Sequence, residues 1–196
     1  GKRHIRNLKS ILQNSDDEVF AYDAHAEAMA FVRKEYNVRT VDNLDAALME
    51  ASAAFICVPN HLHVPLALKA VQHNCHVFVE KPLSHSRENV EELLSLARGK
   101  GLTVTCGYML RFYSPLKRVK ELLDNQALGK VYGARVECGY YLPYWRPTQD
   151  YRQNYGARKN EGGGIILDAI HELNYIQWLL GKATEVFCYA GKKSNL

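Results

Sequence analysis

The spacing of apolar residues along the first half of the chain alternates between two patterns. Apolar residues three and four positions apart predict helices over residues 2–10, 25–36, 44–51, 62–72 and 86–98. Short apolar runs between them predict strands at 19–23, 38–41, 53–58, 76–80 and 103–106. The run at 53–58 is continuously apolar up to Pro59 and predicts a strand buried on both faces. Such alternation is typical of a doubly wound parallel sheet with helices on both faces.

A different pattern begins near Gly107. A helix is predicted at 115–124, and residues 131–142 alternate between two faces, which is typical of a half-exposed strand in an open, mostly antiparallel sheet. The glycines at 162–164 lead into a helix predicted to end near Gly181, and one more strand is predicted at 185–190. The sequence therefore predicts an α/β chain of two domains, residues 1–107 and 108–196.

Composition and charge exclude several classes of function. The chain has 196 residues, of which 47% are hydrophobic and 23% charged, and its formal net charge is +4. Charges of both signs alternate without a basic block, which argues against a nucleic-acid partner. No apolar run approaches the roughly 20 residues that a membrane helix requires, so we expect no membrane partner.

Cysteine and histidine usage indicates a cytoplasmic protein without a metal site. The five cysteines are scattered and form no CxxC pair, so we interpret them as reduced core residues. The close histidine pairs, His61 with His63 and His73 with His76, have no third and fourth ligands at useful spacing.

The opening residues resemble the end of a phosphate-binding turn. Gly1 stands where the last glycine of a G-x-G-x-x-G motif would, and Arg3 and His4 lie in the helix that follows. The N–H groups and positive dipole of such a helix bind a pyrophosphate. Asp23 ends the next strand at about the 20-residue spacing of a ribose-binding acid, and an acid there favours NAD over NADP. A strand-end aspartate without a cofactor role is the alternative.

Three further motifs follow in order. They are Val58-Pro59-Asn60-His61-Leu62-His63, Val79-Glu80-Lys81-Pro82-Leu83, and the glycines 162–164 followed by Asp168 and His171 on one helix. Together these residues resemble the Gfo/Idh/MocA superfamily of glucose–fructose oxidoreductases and inositol dehydrogenases, from Gly1 to about Gly181. The resemblance implies a Rossmann domain and an α/β domain whose open sheet binds substrate and forms a homodimer or homotetramer.

The resemblance also implies catalytic roles. Lys81 would lie beside the nicotinamide and the reacting hydroxyl. Pro82 would fix the turn, and a cis peptide bond is one way in which it could do so. A hydroxyl that loses hydride must also lose a proton, so the site needs a base and a positive charge near the developing alkoxide. His171, with an ordinary imidazole pKa of about 6.5, is the natural base, and a core histidine is the alternative reading. Asp168 would orient it or bind a second hydroxyl, although many relatives space this pair as Asp-x-x-x-His.

Other contacts are expected from the turns that follow the strands and from an aromatic, arginine-rich loop. Cofactor contacts are expected from Val58, Pro59, Asn60, His63, Glu80, Lys81 and Pro82. Substrate contacts are expected from Tyr108, Arg111, Trp145, Arg146, Asp168 and His171. Aromatic and guanidinium groups suit a sugar and an anion, and equally a subunit contact.

The central strand of the expected sheet has no counterpart in the sequence. In the strand order 3-2-1-4-5-6 the first strand lies in the middle of the sheet, and residues 19–23 already correspond to the second. We therefore expect the 196 residues to be a piece of a longer polypeptide, incomplete at both ends and inactive alone.

The sequence thus predicts an NAD-dependent oxidoreductase that transfers hydride between a nicotinamide cofactor and a sugar, sugar derivative or cyclitol, with NADP as the second choice. A hydrolase that retains NAD and uses transient oxidation is one alternative, and it would use the same lysine and histidine. A non-catalytic nucleotide-binding relative is the other, and the presence of Lys81 and His171 argues against it. An acidic or nucleotide-linked sugar is the preferred substrate because of the arginine-rich loop.

Overall fold

The structure is a computed structural model that describes residues 1–145, Pro147 and residues 150–191. The chain divides into two compact units, Gly1–Cys106 and Gly107–Leu196.

The first unit alternates helices and strands as the sequence predicts, although its strands are short. The elements are α1 Lys2–Ile11, β1 Phe20–Ala21, α2 Ala26–Tyr36, β2 Arg39–Thr40, α3 Leu44–Glu50, β3 Ala53–Ile56, α4 His63–Gln72, β4 His76–Val79, α5 Val90–Gly99 and β5 Val104–Cys106. Helix α5 begins later than its predicted start at Ser86. The reason is that Asn89 has φ of 56°, a left-handed conformation that a right-handed helix does not include.

The strands form two parallel sheets. β1 pairs with β2, and β3, β4 and β5 form a second sheet in that order, with Ala53 opposite His76 and Val77 opposite Val104. Within the described residues no strand joins β1 to β3, so the expected central strand has no counterpart there. The prediction that β3 is buried on both faces is wrong. Ile56 is buried on the face that α4 covers, whereas Phe55 on the other face is 41% exposed.

Helix α4 contributes most to the core. Val64, Ala67 and Val71 of this helix are buried against Val79 of β4 and Leu93 of α5. A buried aliphatic side chain of this size contributes about 1.5–3 kcal/mol relative to an exposed one. This packing holds the carboxyl ends of β3 and β4 in place, and the candidate catalytic turn follows the second of them.

The second unit is helical among the residues described. Its helices are α6 Ser114–Asp124, α7 Leu142–Trp145, α8 Ile165–Asp168 and α9 Ile170–Leu180. The predicted single helix ending near Gly181 is interrupted at Ala169, whose φ is −93° and ψ 30°.

The strands predicted at 131–142 and 185–190, and with them the open sheet, are not formed within the described residues. Alternation gives a segment two faces, but a strand requires a hydrogen-bonded neighbour, and the described residues provide none for these segments. For the same reason Cys138 and Cys188 are exposed rather than in a core, whereas Cys75 is fully buried.

Membrane and metal features can be stated only for the part of the chain described. There, no helix is both long and apolar enough to cross a bilayer. The same residues contain no group of three or more His, Cys, Asp or Glu side chains arranged to hold a metal ion.

Replacing Leu93 by alanine tests the α4–α5 core. Leu93 is fully buried, so Leu93→Ala should lower the free energy of unfolding by about 2–5 kcal/mol, through lost burial and a residual cavity. This change is measured by urea titration of the full-length protein. Met49→Ala, at a position 71% exposed, is the control and should change the free energy by less than about 0.5 kcal/mol. Equal effects of the two variants would contradict this assignment of the core.

Candidate active site

The candidate cofactor residues follow the carboxyl ends of three parallel strands. Asp23 comes after β1, Pro59 and Asn60 come after β3, and Lys81 comes after β4. In doubly wound folds, ligands bind in the crevice outside these strand ends.

Glu80 connects the first helix to the Lys81 turn. Its Oε1 lies 2.5 Å from Nε2 of His4 in α1, and its Oε2 accepts a hydrogen bond of 3.2 Å from the backbone N–H of Lys81. Burial alone would raise the pKa of Glu80, but the hydrogen bonds from His4 and Lys81 outweigh it and leave the pKa below its ordinary value. Glu80 is therefore a carboxylate at neutral pH.

His4 also places α1 against the sheet face that carries Phe55 and Phe78. Its ring lies 5.2 Å from the ring of Phe78 and 6.0 Å from that of Phe55, and the two phenylalanine rings stack at 5.1 Å. The sequence assigned His4 to the cofactor. In the structure its ring contacts the sheet and its Nε2 contacts Glu80, and its role toward the cofactor stays a prediction.

The Lys81–Pro82 peptide bond is cis, the geometry that the resemblance suggested. His63 lies behind this turn and is 1% exposed. Its Nδ1 is 2.7 Å from the carbonyl oxygen of Pro82, and its Nε2 is 2.9 Å from that of Val58. Both ring nitrogens of His63 thus face backbone carbonyls inside the protein, and its contact with the cofactor stays a prediction. His63 connects the two turns that carry the other candidates.

The remaining candidates of the first unit fit a dinucleotide. Helix α1 begins after Gly1 with no side-chain cap and no acid in its first turn, where Arg3 is exposed, so its N–H groups suit a phosphate. The Asp23 side chain is 49% exposed. Its Oδ1 accepts the backbone N–H of His25 at 2.9 Å, with the His25 ring at 3.0 Å. Asp23 thus stands at a strand end with a carboxylate available for ribose hydroxyls.

In the second unit, Tyr108 and Arg111 line a cleft of about 140 Å³. The other lining residues are Ile170, Leu173, Asn174 and Gln177. Nε of Arg111 donates to Oδ1 of Asn174 at 2.9 Å, and its guanidinium lies 5.8 Å from the ring centre of Trp178. Sequence reasoning missed Asn174, Gln177 and Trp178. Their spacing at i, i+3 and i+4 on the helix after His171 was the available signal.

His171 lies in the first turn of α9, edge-on to the ring of Tyr108 at 6.1 Å, and its Nδ1 is shielded from solvent. Asp168 lies at the end of α8, before the break at Ala169. The expectation that Asp168 and His171 share the face of one continuous helix is therefore corrected.

The glycines before α8 allow close backbone packing. A Cβ at Gly163 would clash with the carbonyl oxygens of Tyr155 and Gly156, and Gly164 has φ of 115°, which other residues rarely adopt. A Cβ at Gly156 would in turn lie 3.1 Å from Oδ2 of Asp168. Gly163 thus lets the backbone of residues 155–156 approach the start of α8.

The arginine-rich loop gives less support to anion binding than its composition suggested. The Arg152 guanidinium makes two 2.9 Å hydrogen bonds to Asp150, and these bonds hold the pKa of Asp150 below its ordinary value. Arg158 pairs with Glu161 at 2.7 Å. Trp145 stacks on Tyr140 at 4.5 Å. Arg146, an expected substrate contact, lies outside the described residues.

Comparison with known proteins identifies both parts of the chain. The model of the family described as "Oxidoreductase family, NAD-binding Rossmann fold" matches residues 1–108, and that of the "GFO/IDH/MocA C-terminal domain" matches residues 116–195. The 2,7-anhydro-N-acetylneuraminate hydratase of Escherichia coli is 25% identical over 82% of this chain and 42% of its own length. The myo-inositol 2-dehydrogenase of Thermotoga maritima is 25% identical over 94% of this chain and 53% of its own length.

The fold is also found in a crystal structure of myo-inositol 2-dehydrogenase from Lactobacillus plantarum. That protein is 24% identical, with a TM-score of 0.74 over 92% of this chain and 53% of its own. The chain spans about half the length of the curated relatives that it matches. Since residues 1–108 match the family's NAD-binding fold and most of the remainder matches its C-terminal domain, the chain belongs to the Gfo/Idh/MocA oxidoreductase family.

Proposed function

We propose that this protein is an NAD-dependent oxidoreductase that acts on a hydroxyl or carbonyl group of a sugar, sugar derivative or cyclitol. The observation that carries the proposal is the arrangement of Glu80, Lys81 and Pro82 at the carboxyl end of β4. The Glu80 carboxylate is held by α1, and the Pro82 carbonyl is held by His63. A lysine fixed from both sides at a strand end of an NAD-binding fold suits a reaction next to the nicotinamide.

The first unit supplies the cofactor contacts. The first turn of α1 would bind the pyrophosphate, and the Asp23 carboxylate would accept hydrogen bonds from ribose hydroxyls. A negative charge at Asp23 disfavours the 2′-phosphate of NADP. The bound nicotinamide supplies the hydride acceptor.

The reaction requires a proton acceptor and a positive charge, and we assign these roles to one residue of each unit. His171 would take the proton from the substrate hydroxyl, and the Lys81 ammonium would stabilise the negative charge that develops on that oxygen. The family resemblance assigns both residues to the same reaction. Asp168 remains a predicted substrate contact or orienting group.

The cleft of the second unit suits a polyol. It presents the amides of Asn174 and Gln177, the Arg111 guanidinium and the Tyr108 ring beside the apolar Ile170 and Leu173. Directed polar groups on a partly apolar wall are typical of small-molecule sites. Homodimer or homotetramer formation and a cytoplasmic location remain predictions.

A second candidate is a reaction without net oxidation at the same site. A relative in Escherichia coli is a hydratase, and addition of water changes no overall oxidation state. In that case Lys81 and His171 would serve a transient oxidation, and the cofactor would end each turnover as it began.

These functions are separated by testing the full-length protein and NAD with a panel of sugars, nucleotide sugars and cyclitols. We expect at least one polyol to give stoichiometric NADH, measured by its near-ultraviolet absorbance. The reason is that the proposed reaction transfers hydride from substrate to NAD without returning it. Omitting the polyol is the control. Product formed without net NADH would favour the second candidate, and the absence of any turnover across the panel would contradict both.

Replacing Lys81 by alanine tests the charge at the reacting oxygen. Lys81→Ala should lower kcat by about 10²–10³-fold, because the lysine stabilises the transition state more than the ground state. The NAD Kd should stay within about tenfold. Lys34→Ala, which removes an exposed lysine from α2, is the matched control. A Lys81→Ala enzyme as active as this control would remove Lys81 from the mechanism.

Replacing His171 by asparagine tests the proton acceptor. A base acts when neutral, so kcat/KM for oxidation should fall as pH drops through the pKa of His171 in the free enzyme. His171→Asn should lower kcat/KM by about 10²–10⁴-fold and abolish this acid limb. His76→Asn, on the exposed amino end of β4, should leave the limb in place. Persistence of the limb in His171→Asn would assign the base to another group.

A further inference from the structure

Among the residues that the structure describes, the buried polar side chains are those of Asn60, on the turn after β3, and His63, the first residue of α4. His63 is 1% exposed, and its ring lies between two carbonyl oxygens, that of Pro82 at 2.7 Å and that of Val58 at 2.9 Å. Both distances are those of a good hydrogen bond.

One carbonyl belongs to the turn after β3, which carries the expected cofactor contacts Pro59 and Asn60, and the other to the turn after β4, which carries Lys81. Val58 directly precedes Pro59 and Asn60, and Pro82 directly follows Lys81. The strands before them are paired as far as the bond from the Glu80 N–H to the Ile56 carbonyl, at 3.0 Å. Beyond the strand ends, where the backbone hydrogen bonds between β3 and β4 stop, His63 connects the two segments through its side chain.

The chemistry of the two partners fixes what the ring must do. A backbone carbonyl can only accept, and a neutral imidazole has one N–H, so either neutral tautomer would direct a lone pair at one of the two oxygens. Two hydrogen bonds require protons on both ring nitrogens. The titratable groups on the segments that carry the partners are Cys57, His61, Glu80 and Lys81, of which Glu80 is the carboxylate.

We propose that His63 is a positioning residue, protonated on both nitrogens, which links the turns after β3 and β4 and so fixes Lys81 relative to the cofactor. The proposal rests on the role of Lys81 in the proposed function. His63 acts through the two backbone carbonyls and is not itself in contact with substrate.

The protonation state can be measured on the unmodified protein. A neutron structure of deuterium-exchanged crystals should show deuterons on both Nδ1 and Nε2 of His63, directed at the two carbonyls. A single deuteron on the ring would overturn the proposal. This measurement requires no substitution and is unaffected by any variant that fails to fold.

Kinetics then test whether the link acts through Lys81. The glutamine of His63→Gln donates from one nitrogen only, so this variant should lower kcat by about 10²-fold through misplacement of the Lys81 turn. KM for the polyol should change little. Val71→Ala, at a fully buried position further along α4, is the control for lost core packing and should leave kcat within a few-fold.

The double variant separates positioning from stability. If His63 acts through Lys81, adding His63→Gln to Lys81→Ala should cause no further loss of kcat, because coupled residues are not additive. Equal losses in both backgrounds, or a loss in His63→Gln no greater than in Val71→Ala, would overturn the positioning role. Full activity of Lys81→Ala alone would instead count against the proposed function.

Discussion

The packing of α4 and α5 on the parallel sheet β3–β4–β5 is the constraint on which the candidate cofactor site depends. Val64, Ala67 and Val71 of α4 meet Val79 and Leu93 in one buried cluster. Because the strands are parallel, this cluster holds their carboxyl ends at one edge of the sheet, where the turns after β3 and β4 emerge. The apolar core thereby sets the position of the turn that carries Lys81, and the polar contacts add to this.

Two histidines refine that position from opposite sides. His4 of α1 binds the Glu80 carboxylate, and His63 of α4 contacts the Pro82 carbonyl. The residue between Glu80 and Pro82 is thus held by a helix on each side, and one of those helices is the candidate phosphate-binding helix. The same contacts that stabilise the fold therefore couple the expected phosphate end of the cofactor to the residue expected at its reactive end.

In the second unit, backbone geometry rather than apolar burial sets the positions of the candidate residues. Gly163 admits the close approach of residues 155–156, and the break at Ala169 separates Asp168 from His171. Helix α9 then carries His171 together with Asn174, Gln177 and Trp178, which position or accompany Arg111 at the cleft. The structure thus adds Asn174 and Gln177, which line the cleft, to the candidates that the sequence motifs provided.

The sequence by itself determined the alternating helices and strands of the first unit, because apolar periodicity is a local property of the chain. Motif spacing gave the candidate Asp23, and the family resemblance of the motifs gave Lys81 and His171. The sequence did not determine whether residues 131–142 and 185–190 form strands, since a strand depends on a partner segment far away in sequence. It also assigned His4 and His63 to the cofactor. Only the tertiary structure directed their rings to Glu80 and to the carbonyls of Val58 and Pro82, because side-chain partners across a core are set by how helices pack on the sheet.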